Sequence, residues 1–89
     1  MKVAVLFKDG FEEIEALSVV DVLRRANVSC MMVGMDTMEV TSNHNITIQM
    51  DQTFDSSISK VDMIVLPGGM PGAKNLKDDS RVIALLQDF

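Results

Sequence analysis

The chain predicts an α/β fold built on a mainly parallel sheet. Three observations carry that expectation. Two short runs, Lys2–Phe7 and Asp62–Leu66, are almost wholly apolar, as strands buried on both faces of a parallel sheet are. A segment of helical periodicity, Phe11–Ala26, follows the first run. A turn with three glycines and two prolines, Pro67-Gly68-Gly69-Met70-Pro71-Gly72, closes the second. Strand, helix, strand, small hairpin, strand, helix is the element order of an α/β sheet with right-handed crossovers.

Each element has its own local reason. Lys2–Phe7 is the first strand, and Asp9-Gly10 turns the chain. The helix over 11–26 has glutamates at its start and Arg24-Arg25 near its end, as the helix dipole favours. Residues 28–34 form a second strand, with Met31 and Met32 as soft packing. Residues 38–41 and 46–50 pair as a hairpin around Ser42-Asn43-His44-Asn45. Residues 54–59 make an irregular or single-turn connection, 62–66 the next buried strand, and 73–77 a short helix. Ser80 is expected to cap a last helix running to Phe89.

The chain has 89 residues, 47% of them hydrophobic and 24% charged, which suits one small globular unit. A net charge of −5 with no Lys/Arg run argues against nucleic acid or an anionic membrane as a partner. The apolar runs fall far short of a membrane span, and the N-terminus lacks a signal peptide's pattern. The single cysteine, Cys30, allows no intrachain disulfide, so a reducing cytoplasm is the expected location. Strands buried on both faces need helices above and below, and this length supplies few. The expectation is therefore that residues 1–89 are the N-terminal half of a single larger domain. The alternative is a compact small protein with a frayed end.

In parallel sheets, sites form beyond the carboxyl ends of the strands. Residues 9–15 and the Gly68-Gly69 turn both lie there and should share one edge. Backbone N–H groups freed in such a turn can hold a developing negative charge. On a helical wheel of about 100° per residue, Ala16, Val19, Val20, Val22, Leu23 and Ala26 fall in an arc of about 160° that should face the sheet. Glu15 lies inside that arc, between the directions of Val22 and Ala26; Glu12 lies inside it too, and Glu13 at its margin. A carboxylate there is costly unless it takes up a proton. Glu12 and Glu13 are read as serving the helix N-terminus. Glu15, one turn further in, is read as an acid poised to share a proton with a neighbour. Ile14 and Leu17 point away from the arc and, near Phe11, suit a subunit contact.

Other candidates are weaker. Cys30 has no Lys, Arg or His near it in sequence and reads as a buried, inert thiol. His44, the one histidine, reads as a surface residue without metal-ligand companions. The glycine turn lacks the Gly-Lys-Ser/Thr ending of a phosphate loop and does not fit the dinucleotide fingerprint.

Lys8-Asp9-Gly10-Phe11-Glu12-Glu13-Ile14-Glu15-Ala16, continued by Val19-Val20-Asp21-Val22-Leu23-Arg24-Arg25-Ala26, resembles the first strand-to-helix segment of the ThiJ/PfpI superfamily. Residues 65–76, from Val65-Leu66-Pro67-Gly68-Gly69 to Asn75-Leu76, resemble the superfamily's second signature. The match is nearest to the branch of the Parkinson-disease-associated protein deglycase and bacterial ThiJ-like proteins. It covers this whole chain but only the first half of a family member.

The resemblance implies a flavodoxin-like three-layer sandwich, akin to class I glutamine amidotransferase domains. It implies a nucleophilic cysteine on a strand-to-helix elbow, tuned by a protonated glutamate that Glu15 matches by position. It implies an oxyanion pocket from the backbone N–H groups of Gly68 and Gly69 and a homodimer through the first helix. No cofactor or metal is expected. The elbow cysteine and its histidine would come after Phe89, and Cys30 does not match the nucleophile's position. The expected function is the N-terminal part of a cysteine-dependent glyoxalase or deglycase acting on reactive carbonyls. A non-catalytic redox sensor or chaperone, or a peptidase or amidase, are the alternatives. The chain alone should be inactive and poorly stable, and a second half should exist as a companion chain or a continuation.

Overall fold

The computed structural model describes residues 1–89. In chain order the elements are β1 (Lys2–Phe7), α1 (Glu13–Arg25), β2 (Ser29–Gly34), β3 (Glu39–Thr41), β4 (Thr47–Gln49), β5 (Gln52–Thr53), a 3-10 turn (Ser56–Lys60), β6 (Met63–Val65), α2 (Gly72–Lys77) and α3 (Ser80–Gln87). Four strands make one parallel sheet in the order β5-β2-β1-β6. The sheet's centre is β1, with Val3 opposite both Cys30 and Met63. The predicted hairpin forms as β3–β4, antiparallel, with Val40 opposite Ile48.

Strand pleating sends alternate side chains to opposite faces, so β1 builds two cores at once. Val3, Val5 and Phe7 pack with Phe11, Ala16, Val20, Cys30, Val40 and Met50. Ala4 and Leu6 pack with Val33, Met35, Ile58, Leu76, Val82 and Leu85. The result is three layers: α1 and the hairpin, the sheet, then the 3-10 turn with α2 and α3. Phe7 and Phe11 meet edge to face at 4.8 Å between ring centroids. This contact fixes the entry of the chain into α1.

Several expectations are corrected. The run ending in Leu66 is not buried on both faces: β6 is an edge strand, and Met63 and Leu66 are 43% and 40% exposed. Nothing in the chain pairs with its outer side. α1 starts at Glu13 rather than Phe11, because Phe11 is committed to the core and to a bridge with Ser42. The helix is also turned from the expected arc. Leu17 packs partly against the core, while Val22, Ala26 and Glu15 are exposed. The wheel gives the direction of the apolar side chains but not the breadth of sheet beneath them, and this sheet stops at β6. The cap of α3 is Asp79, which accepts from the Arg81 amide at 2.8 Å, not Ser80, the helix's first residue. β5 is an element the sequence did not announce, two residues long beside β2.

Candidate active site

Because β1 and β6 are parallel neighbours, their carboxyl ends deliver residues 8–12 and the glycine turn to the same edge. Backbone hydrogen bonds stitch the two segments together. The Glu12 amide donates to the Gly68 carbonyl at 3.1 Å, and the Gly72 amide to the Gly10 carbonyl at 3.2 Å. Gly10 and Gly69 hold φ of +91° and +95°, the left-handed region that favours glycine. The Met70–Pro71 peptide is cis. The Gly69 carbonyl is also engaged, accepting from Ala73 at 2.8 Å. The amide N–H groups of Gly68 and Gly69, by contrast, donate no hydrogen bond within the chain. Two adjacent free donors at a strand end are what an anion or oxyanion requires.

Glu12 is the N-cap of α1. Its carboxylate accepts from the amides of Ile14 at 3.2 Å and Glu15 at 2.9 Å. Glu15 follows in the first turn, and its side chain lies over the glycine turn: a Cβ built on Gly68 would stand 2.5 Å from Glu15 Oε2. The residues singled out in sequence, Glu15, Gly68 and Gly69, therefore converge. Glu15 is exposed, however, and not sunk against the sheet. Its carboxyl lies over the turn that follows β6.

Glu13 turns the other way, toward the hairpin. His44 Nδ1 stands 2.6 Å from Glu13 Oε1. The nearby Ser42 hydroxyl, foremost, and His44 hold the Glu13 carboxyl below its usual range, although Oε2 is buried with no bond of proper geometry. His44 is exposed as expected, but it does have potential ligand companions. One atom each from Glu12, Glu13 and His44 lies within 4.8 Å of the others. Both Glu12 oxygens already cap backbone N–H groups there.

Cys30 lies opposite Val3, at the far end of the strands from this edge. Burial pushes its thiol up, Arg24 opposes that and Asp51 adds to it, which suits an inert side chain.

A second polar cluster sits at the carboxyl ends of β1 and β2. Asp79 is buried and binds Arg81 Nη2 at 2.6 Å and Lys8 Nζ at 2.9 Å. Arg81 continues to Asp36 and to the Met35 carbonyl, each at 2.7 Å. Arg81, then Lys8, hold the Asp79 carboxyl well below the carboxylate range against the opposing pull of burial. Sequence reasoning missed this cluster, which joins Lys8 and Asp36 to Asp79 and Arg81 across long stretches of chain. The one readable cue was Asp79 itself, a good N-cap residue ahead of an apolar helix.

Residues 1–89, the full chain, match the model of the DJ-1/PfpI family. The chain belongs to the DJ-1/PfpI family. It is 32% identical over 87 residues to the Parkinson disease protein 7 homolog of Danio rerio, covering 94% of this chain and 46% of that protein. It is 30% identical over 70 residues to a deglycase of Thermococcus kodakarensis, covering 78% of this chain and 42% of that one. The solved structure of oxidized Toxoplasma gondii DJ-1 superposes with a TM-score of 0.88 at 35% identity, over 97% of this chain and 48% of the other. This DJ-1/PfpI chain therefore has the flavodoxin-like architecture and spans about half the length of the relatives it matches. None of its helices is long and apolar enough to cross a membrane.

Proposed function

We propose that this chain supplies the acid and the oxyanion wall of a cysteine-dependent site, as the N-terminal half of one domain. A second half, continuing or accompanying it, would bring the nucleophile. The observation that supports this reading is the Glu15 carboxyl packed on Gly68, beside two glycine N–H groups with no acceptor. The thiolate of the elbow cysteine attacks the carbonyl carbon of a small reactive carbonyl such as methylglyoxal. A C–S bond forms and the carbonyl π pair moves to oxygen. Before attack the Glu15 carboxyl hydrogen-bonds the thiolate; once the C–S bond has formed, the Gly68 and Gly69 N–H groups receive the oxyanion. The relative named a deglycase favours this chemistry.

The second half would cover the unpaired edge of β6. It would also fill the apolar groove of about 370 Å³ between Leu66, Ala73, Val82, Ile83 and Leu86. Ile14, 72% exposed on α1, suits a homodimer contact; Leu17 contributes less, being partly drawn into the core. A reducing cytoplasm suits the nucleophile. A second reading, a redox sensor whose elbow cysteine is oxidised and held by Glu15, is favoured by the oxidized state of the Toxoplasma relative.

The test is methylglyoxal turnover by the two halves together. Loss on replacing the elbow cysteine, and on Glu15→Gln, is expected. Ready sulfinate formation without turnover would favour the sensor. Undiminished turnover without the cysteine would end both readings. Equilibrium sedimentation showing only monomer would end the dimer.

A further inference from the structure

One residue touches both halves of the site without facing substrate. Glu12 donates its amide to the Gly68 carbonyl at 3.1 Å, and its carboxylate accepts the Glu15 amide at 2.9 Å. The chain at Gly69 presses on it as well: a Cβ built there would stand 2.5 Å from the Glu12 amide nitrogen.

Two consequences follow from geometry. The Gly68 carbonyl and the Gly69 N–H belong to one trans peptide, so they point in opposite directions. A bond that holds the carbonyl toward Glu12 therefore aims the Gly69 N–H away from α1. Glu15 stands three residues after the N-cap, where a glutamate commonly folds back to bond the N-cap amide. Here that amide is already taken by Gly68. The Glu15 carboxyl is thereby released from a capping task and lies over Gly68 instead. Glutamate is also an uncommon N-cap, a position that Ser, Thr, Asp and Asn favour. Its longer side chain and two oxygens span two amides, Ile14 and Glu15, at once.

We infer that Glu12 is a positioning residue: its carboxylate, by capping the Ile14 and Glu15 amides, holds in place the Glu12 amide that aims the Gly69 oxyanion donor and leaves the Glu15 carboxyl free to meet the thiol. The inference rests on the proposed thiol site. Its test therefore carries a separate control for that site.

In the intact protein, with both halves present, alkylation of the elbow cysteine by iodoacetamide is followed against pH, together with kcat and KM on methylglyoxal. Glu12→Ala is expected to lower kcat about tenfold, the size of a lost cap bond, with KM little changed and the alkylation profile displaced toward higher pH. Glu12→Asp, a strong cap, recovers most of both. A Glu12→Ala protein that melts earlier but keeps its kcat and alkylation profile would show that Glu12 is only a helix cap, and would overturn the inference. If Glu12→Ala fails to fold, Glu12→Gln decides by the same readouts, since it keeps a single neutral acceptor: an intermediate loss supports the inference and unchanged values overturn it. Glu15→Gln separates the two levels. A displaced profile in Glu15→Gln with an unchanged one in the Glu12 variants rejects the positioning role alone, whereas unchanged profiles in all of them reject the thiol site itself.

Discussion

β1 and β6 are near twins in sequence and opposites in structure. Val3–Phe7 and Met63–Leu66 are both unbroken apolar runs followed by a turn. Every residue from Val3 to Phe7 is buried, whereas Met63 and Leu66 stand open and Ile64 and Val65 are half-covered. The difference is strand order. β1 has a neighbour on each side and helices on both faces; β6 has β1 on one side and nothing on the other. Apolar composition declares that a strand is meant to be enclosed, and the neighbours decide whether it is. The same contrast divides the helices. α3 buries Val82 and Leu85 against the sheet, while Ile83 and Leu86 face outward beside the β6 edge.

The largest effect should come from emptying the enclosed strand. In residues 1–89 alone, where the β6 edge is open, Phe7→Ala is expected to cost about 4 kcal/mol and Met63→Ala less than about 1 kcal/mol, by denaturant unfolding. Equal costs would break the comparison.

The next effect sharpens it at the carboxyl edge. Asp79→Asn leaves Lys8 and Arg81 without their buried anion and should cost about 3 kcal/mol. The same group sets the acid limit. Its folded pKa is depressed below the ordinary 3.8. The stability it contributes is thus complete above that value and is lost as pH falls below it toward the folded pKa. Unfolding titrations should show the wild type losing stability below about pH 4, with Asp79→Asn losing less over the same interval.

A smaller effect separates the two glycines. Gly69→Ala forces a side chain into a left-handed φ and against the Glu12 backbone, for about 2 kcal/mol. Gly68→Ala meets only the end of the Glu15 side chain, which can swing aside. Its stability cost should stay below about 1 kcal/mol, while the Glu15 carboxyl moves off the turn, visible as a shifted side-chain NMR resonance.

The smallest effect on stability lies on the open face. In residues 1–89 alone, Leu86→Lys should change the unfolding free energy by less than about 0.5 kcal/mol yet reduce association with the proposed second half, read by pull-down of the two purified halves. A large loss of stability would mean that this face is already covered within the chain.

Much of this was legible in residue pattern. The strands, the hairpin and the meeting of Glu15 with Gly68-Gly69 follow from period, turn chemistry and the rule that parallel strands deliver their ends to one edge. β5 was not legible because Gln52-Thr53 carries no apolar signal; it is a strand only because β2 offers an edge beside it. The orientation of α1 was not legible because a wheel knows which residues are apolar, not how wide a sheet lies beneath. Glu12 and Glu13 were expected at the helix N-terminus, and Glu12 does cap it. That Glu12 also grips Gly68, and that Glu13 meets His44, depends on long-range partners that no local spacing encodes. The same holds for Lys8, Asp79 and Arg81.

Sequence alone determined most of the helices and strands and the edge to which Glu15 and the glycine turn are brought, because helical and strand periods and glycine turns are local consequences of backbone sterics. Tertiary structure decided which apolar surface is enclosed and which acid is free, because burial and hydrogen-bond partnership belong to pairs of segments. The open β6 edge and the hold of the Glu12 amide on the Gly68 carbonyl are both results of that second kind.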